Sequence, residues 1–342
     1  MNQLSDYDYH LPEHLIAQTP LEDRAASRLL HLDRFSGAVV HRQFRDVPSL
    51  FREGDLLVAN ETRVTALRLF GKRAETEGRI EALLLRPEGP FAFEAMVRPA
   101  KRLRLGERVE FEQDLTATVT EVRNDGIRQL TFNPTDDLWE RLQRAGETPL
   151  PPYIHAALAS PERYQTVYAS GDPRQNGSTA APTAGLHFTP EILEEIRKKG
   201  IQIAMVRLDV GIDTFRPVTA ESLDDHQMHG EVARIPEETA EAISACKGRI
   251  IAVGTTTVRT LESFAEGKGR VRSGETRTSL FIRPGYEFQV IDGMFTNFHL
   301  PRTTMLAMIS ALAGHESVFA AYESAIKEQY RFLSFGDSML IL

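Results

Sequence analysis

The stretch LTATVTEVRNDGIRQLTF, residues 115–132, holds two short runs rich in Val, Ile, Thr and Phe around Asn124-Asp125-Gly126. Residues 116–122 alternate apolar and polar, the period-2 pattern of a strand with one buried face. Asn, Asp and Gly tolerate the left-handed backbone that a tight turn requires, so the whole stretch reads as a β-hairpin. Working outward, residues 80–85, 91–97 and 108–111 have the same character and are punctuated by Glu88-Gly89-Pro90 and Leu105-Gly106. Five or six such strands read as a small antiparallel barrel. Residues 136–145, with the only tryptophan, Trp139, would be its closing helix.

On either side the pattern changes. Upstream come a short proline-initiated helix at 11–16, strands at 28–33 and 39–41, and a compact apolar strand at 56–59 that ends abruptly in Asn60-Glu61-Thr62-Arg63. Downstream, Thr189-Pro190 opens a helix that Gly200 stops, because Thr accepts orphan N–H groups and Pro fits the first turn. A strand at 201–210, a helix at 237–246, a strand at 249–253 and a helix at 255–264 follow. That alternation is the signature of a layered α/β domain with a largely parallel sheet. A hairpin is expected at 278–282 and 287–291, then helices at 303–313 and 316–330. The expected organisation is therefore an α/β main domain assembled from 1–65 and 150–342, with an inserted small antiparallel β-barrel domain at 66–149.

Composition agrees. In 342 residues, 42% are hydrophobic and 26% charged, which excludes a disordered, collagen-like or coiled-coil chain. The single Cys246 excludes a disulfide scaffold and a multi-cysteine metal site, and it reads as packing. No apolar run approaches a membrane span and the first thirty residues are charged throughout, so a cytoplasmic protein is expected. The net charge of -8 argues against a basic coat, but phosphate contacts need only a local patch. Arg98, Lys101, Arg102, Arg104 and Arg108, opposed only by Glu107, make one.

Chemistry concentrates in five places. Residues 177–189 (GSTAAPTAGLHFT) are small and hydroxylated, lead to a capped helix, and hold His187 and Phe188. Small residues let a backbone approach a ligand, although a surface loop would have the same composition. Residues 250–259 (IIAVGTTTVR) run a buried-type strand through one glycine into a threonine-rich helix start, the usual ligand position in open α/β sheets. Neither a dinucleotide fingerprint nor a P-loop is present. Asp209, Gly211, Asp213 and Arg216 crowd the end of another strand. Asp209 is a candidate base and Arg216 a candidate carboxylate clamp, with a loop-ordering Asp–Arg pair as the plain alternative. His226 and His229 are three apart, but the zincin arrangement is absent and no metal is expected. Finally, Thr296, Asn297 and His299 lie among aromatics that suit stacking on a base, or simply a core.

These segments together resemble the S-adenosylmethionine:tRNA ribosyltransferase-isomerases, enzymes of queuosine biosynthesis. The resemblance rests on LPEHLIAQTP (11–20), DLLVANETRV (55–64), GSTAAPTAGLHFTPE (177–191), DVGIDTFRPV (209–218), MHGE (228–231), AVGTTTVRTLE (252–262), TNFHLPRTT (296–304) and YRFLSFGDSMLI (330–341), in order along the whole chain. It implies ribosyl transfer and isomerisation from S-adenosylmethionine onto 7-aminomethyl-7-deazaguanine at the tRNA wobble position. Epoxyqueuosine forms, and adenine and methionine leave. S-adenosylmethionine is then a co-substrate, and tRNA the partner of a protein expected to be a monomer.

With that frame, His187, Asp209 and His229 become candidates for proton transfer, His187 first. Thr183, Gly185, Gly211, Arg216, Gly254, Thr255, Thr256 and Arg259 become candidates for donor binding. Asn60, Thr62 and Arg63 are expected to line the same crevice on the substrate side, Thr296, Asn297 and His299 to read the deazaguanine, and Arg98, Lys101, Arg102 and Arg104 to hold tRNA phosphates. The chain departs from the family pattern at Asp209, where His is usual, and at Asp213, where Gly is usual. Two rivals follow: another S-adenosylmethionine-dependent RNA-modifying enzyme, such as a methyltransferase, and a non-catalytic tRNA-binding paralogue.

Overall fold

In a computed structural model, residues 2–171, 177–211, 221–226, 228 and 230–342 are described. Strands β1 (Arg28–Leu32), β2 (Val39–Gln43) and β3 (Leu56–Asn60) come first. Then β4 (Leu67–Arg73), β5 (Arg79–Pro87), β6 (Ala92–Arg98), β7 (Arg108–Phe111), β8 (Thr116–Val122) and β9 (Ile127–Phe132) close into a six-stranded antiparallel barrel, in the order β4-β5-β6-β9-β8-β7. Residues 115–132 do form its hairpin: Asp125 and Gly126 both have positive φ, 56° and 82°. Alternation carries the core, since Ala117 and Val119 are buried with Leu130 and Phe132 while Thr116 and Thr118 lean outward. Helix α1 (Leu138–Ala145) plugs one side with Leu138 and Leu142, and Trp139 stacks on Phe93.

The sixth strand, β4, has no signal of its own, because Gly71-Lys72-Arg73 breaks the apolar pattern. Its glycine is what lets the barrel close. Gly71 faces Phe111 of β7, and a Cβ there would lie 2.5 Å from the Glu110 carbonyl and 2.6 Å from the Phe111 ring. Gly71→Ala should therefore destabilise the protein by about 1–3 kcal/mol, the usual cost of overpacking. Urea denaturation reads this out, and an unchanged midpoint would contradict it.

Helix α2 (Pro190–Lys198), β10 (Gln202–Leu208), β11 (Glu231–Ile235), α3 (Glu237–Ala245), β12 (Ile250–Val253) and α4 (Thr255–Ser263) follow the barrel. The Thr189 hydroxyl accepts from the Ile192 N–H as expected of a cap, and Gly200 ends the segment at φ 78°. A short ribbon of β13 (Ala265–Gly267) and β14 (Arg270–Val271) leads to β15 (Gly274–Thr278), β16 (Gly293–Asn297), α5 (Thr304–Ala313), α6 (His315–Lys327) and β17 (Ser338–Ile341). No single described helix is long and apolar enough to cross a membrane.

Nine of these strands form one sheet, ordered β15-β11-β10-β3-β12-β16-β17-β1-β2. β10, β3, β12 and β16 are mutually parallel. Their side chains alternate between two cores: Leu57, Ala59, Ile251 and Val253 pack with Phe44, Phe188 and α2, and Leu56, Val58, Ile250 and Ala252 pack with α4 and α5. A sheet covered on both faces shows no polar–apolar alternation, which is why these strands read as plain apolar runs.

One expectation fails. Residues 278–291 form no hairpin; β15 ends at Thr278 and pairs with β11, and no strand follows before β16. Buried Glu262 takes the place of a strand partner, accepting N–H bonds from Gln289, Val290 and Ile291 at 2.9–3.2 Å.

Candidate active site at the carboxyl edge of the sheet

The parallel strands β3, β10, β12 and β16 end at one edge of the sheet, where open α/β folds bind ligands. Asn60, Asp209, Gly254 and Asn297 sit at those four ends, so topology alone collects residues spread over more than 230 positions of sequence. The 177–187 segment crosses this edge and is pinned to it. The Thr179 N–H and hydroxyl both donate to the Val210 carbonyl at 2.9 Å, and the Val210 N–H donates to the Ser178 hydroxyl at 3.1 Å. Gly254, with φ 88°, lies under Ala184, and Gly185 packs so tightly on Tyr168 that a Cβ would overlap the phenol oxygen.

On the α4 face, Asn60 is fully buried and forms a clamp. Its Oδ1 accepts from the N–H groups of Thr62 and Leu208, both at 3.1 Å, and its Nδ2 donates to the Leu208 carbonyl at 3.0 Å and the Thr256 hydroxyl at 3.3 Å. That clamp aligns Thr62, whose hydroxyl donates to Asp209 Oδ1 at 2.8 Å; Arg207 Nε donates to the same oxygen at 3.1 Å. Asp209 stays part-exposed, and among the described residues its Oδ2 has no partner. Beside it, Glu231 accepts from the Gly211 N–H at 2.9 Å and from Arg259 Nη1 at 2.5 Å. Thr255 opens α4 directly after Gly254.

On the opposite face, His187 is buried against Phe44, with ring centroids 5.1 Å apart. Thr183 donates to Asn297 Oδ1 at 2.8 Å, which turns the Asn297 amide N–H groups toward His187 Nε2 at 3.3 Å and the Leu333 carbonyl at 3.4 Å. Nε2 is then an acceptor and Nδ1 carries the proton, donating to the Ser27 hydroxyl at 2.8 Å, while Ser27 donates to the Arg24 carbonyl at 3.1 Å. The network satisfies a neutral imidazole at both nitrogens. Burial, reinforced by Arg24 and Arg331, pushes its pKa down to about 3. A cavity of about 30 Å³ opens here, lined by Arg24, Ser27, Arg163, His187 and Ser334, room for about two waters.

The pKa of His187 has a consequence for acid stability. Folding holds the imidazole neutral, so the unfolded chain, with an ordinary value near 6.5, binds the extra proton first. Its contribution is intact above pH 6.5 and is lost as pH falls from there toward about 3. His187→Asn should therefore flatten the acid dependence of the urea midpoint across that window. An unaltered slope would show that the ring is not held neutral.

Other expected residues are engaged by neighbours. Strand alternation turns Asn297 toward His187 but sends Thr296 to the other face, where His299 Nε2 meets its hydroxyl at 2.7 Å. Burial lowers the His299 pKa to about 4. Buried Thr296 and half-buried His299 thus pair with each other on the face that α4 covers. Arg63 points to Glu162, 2.9 Å away. Cys246 donates to the Gly54 carbonyl and burial pushes its thiol up, in keeping with packing. Arg216, Asp213 and His229 lie outside the described residues. Among those described, no group of three or more His, Cys, Asp or Glu side chains is placed to hold a metal. Ser27 and Glu231 are the partners that sequence reasoning missed. Ser27 opens the family-like segment SRLLHLD (27–33), and Glu231 closes the MHGE segment, but neither stands out there as a site residue.

On the barrel, Arg98, Lys101, Arg102 and Arg104 are exposed and make no ion pair among the described residues. The contrast with neighbouring cations is clear: Arg73 pairs with Glu107, Arg86 with Glu94, and Arg123 with Glu88, Glu94 and Glu121. These four cations lie within seven positions, at the end of β6 and in the link to β7.

A two-faced α/β sheet carrying a closed barrel, with polar side chains gathered at the sheet's carboxyl edge, defines a class of α/β enzyme. A family model described as queuosine biosynthesis protein matches residues 4–341. The S-adenosylmethionine:tRNA ribosyltransferase-isomerase of Symbiobacterium thermophilum is 50% identical over 99% of this chain and 100% of its own length. The crystal structure of S-adenosylmethionine tRNA ribosyltransferase from Thermotoga maritima superposes with a TM-score of 0.57 at 37% identity, covering 99% of this chain and 100% of that one. The chain belongs to the family of S-adenosylmethionine:tRNA ribosyltransferase-isomerases, enzymes of queuosine synthesis.

Proposed function

We propose that this enzyme transfers and isomerises the ribosyl group of S-adenosylmethionine onto 7-aminomethyl-7-deazaguanine at the wobble position of tRNA. The products are epoxyqueuosine-containing tRNA, adenine and methionine. The observation that carries this reading is the near-complete match to the family, in a chain whose topology brings Asn60, Asp209, Gly254 and Asn297 to one sheet edge. In this reading residues 1–65 with 150–342 form the catalytic domain, and the inserted 66–149 domain holds RNA.

The chemistry begins with removal of a proton beside the sulfonium, whose positive charge stabilises the carbanion. Adenine is then expelled, the nucleobase amine attacks the altered sugar, and a hydroxyl displaces methionine as the epoxide closes. Each step needs a proton acceptor or donor. Asp209 fits that task better than His187, because its Oδ2 is open while Thr62 and Arg207 hold Oδ1. His187 has both nitrogens engaged and serves to shape the floor of the site with Thr183 and Asn297. Gly211, Gly254, Thr255, Thr256 and Arg259 form the donor side, with Gly185 allowing the close approach of the crossing segment.

Product analysis tests the reaction. Incubation with tRNA bearing the aminomethyl base should release adenine and methionine in equal amounts. S-adenosylhomocysteine in their place would identify a methyltransferase. The RNA contact has its own test. Replacing Lys101, Arg102 and Arg104 together by Glu should weaken tRNA binding, and each lost phosphate contact should reduce the slope of log affinity against log salt by about 1. Filter binding across a salt series reads this, and an unchanged slope would move the RNA surface elsewhere.

A further inference from the structure

Arg259 is held oddly. It is 9% exposed, on the second turn of α4, and meets Glu231 through Nη1 alone. Its Nε and Nη2 atoms are buried and have no hydrogen-bond partner among the described residues. Those two N–H groups lie in the guanidinium plane along one edge and form its side-on fork, which matches the two oxygens of a carboxylate. Elsewhere this chain uses the same edge in that way. Arg73 places Nε and Nη2 on Glu107 at 2.8 and 2.7 Å, and Arg249 places them on Asp55 at 3.1 and 2.6 Å. A buried donor without an acceptor is costly, and a charged one more so.

We infer that the Nε/Nη2 fork of Arg259 seats the α-carboxylate of the ribosyl donor, and that Glu231 is the positioning residue that aims it. The inference deepens the proposed function and rests on it: S-adenosylmethionine ends in a carboxylate. Glu231 is anchored independently by the Gly211 N–H at the end of β10, two residues from Asp209. It therefore fixes the guanidinium relative to the candidate base while occupying only the end that the carboxylate does not need. The enzyme then selects for a carboxylate-bearing donor through a residue that takes no part in the bond changes.

Calorimetry on the full chain, with S-adenosylmethionine and with decarboxylated S-adenosylmethionine, tests this. The analogue keeps the sulfonium, the ammonium and the nucleoside and lacks only the carboxylate. The unaltered protein should bind the analogue on the order of 10- to 100-fold more weakly, as the loss of a charge-assisted pair requires. Arg259→Met should lose a similar factor for S-adenosylmethionine and little for the analogue. Glu231→Gln should raise KM for S-adenosylmethionine with kcat largely kept, and leave the affinity for the analogue unchanged. A merely structural role for Glu231 would weaken both ligands alike. Equal affinity of the unaltered protein for the two ligands overturns the inference without any variant, so misfolding of Arg259→Met cannot rescue it. Equal affinity with intact tRNA modification leaves the proposed reaction standing, whereas failure to bind either ligand overturns both.

Discussion

Asp209→Ala is expected to lower kcat by about 10²- to 10⁴-fold, the range that a positioned acid or base supplies. KM for tRNA should stay near its original value, since Asp209 lies at the sheet edge and the proposed RNA contacts lie on the barrel. Asp209→Asn, which keeps the shape and can still accept from Thr62 and Arg207, should be nearly as slow if proton acceptance is the role. Single-turnover assays measure the chemical step directly. Turnover within a few-fold of the unaltered enzyme in both variants would remove Asp209 from the chemistry.

Asn60→Ala should cost about 3–5 kcal/mol of stability, because the Thr62 and Leu208 N–H groups and the Leu208 carbonyl each lose a partner at a fully buried position. The same change slackens the junction of β3 and β10, so activity should fall at temperatures where the protein is still folded. Urea denaturation measures the first effect and kcat at low temperature the second. A loss below about 1 kcal/mol would mean that water or a neighbour replaces the amide, and that Asn60 is not the clamp described above.

The hairpin at 115–132 was legible because a one-faced strand pair writes its period and its turn into the sequence. Strands β16 and β17 were not, because Gly293, Thr296, Asn297 and Ser338 break the apolar run that marks the equally buried β3 and β12. Phe295, Thr296 and Asn297 instead read as the start of an aromatic, polar run that suits base recognition. The hairpin expected across 278–291 failed for a related reason: a single side chain, Glu262, satisfies backbone groups that a partner strand would otherwise take. At the site, the strand ends at Asn60, Asp209 and Gly254 could be read as candidates, since sequence turns from apolar to polar there. The partnerships could not. Ser27 and His187 are 160 positions apart, and the buried network that keeps His187 neutral exists only once β1 and the crossing segment meet. A histidine beside small residues suggests a proton carrier; in the structure it is buried and both ring nitrogens meet polar neighbours.

The most direct measurement is the intact mass of tRNA bearing 7-aminomethyl-7-deazaguanine after incubation with the enzyme and S-adenosylmethionine. The account predicts a mass gain equal to one epoxycyclopentanediol group on the wobble nucleoside, with adenine released. Unmodified tRNA with the donor intact, or a gain of a single methyl group, would contradict it.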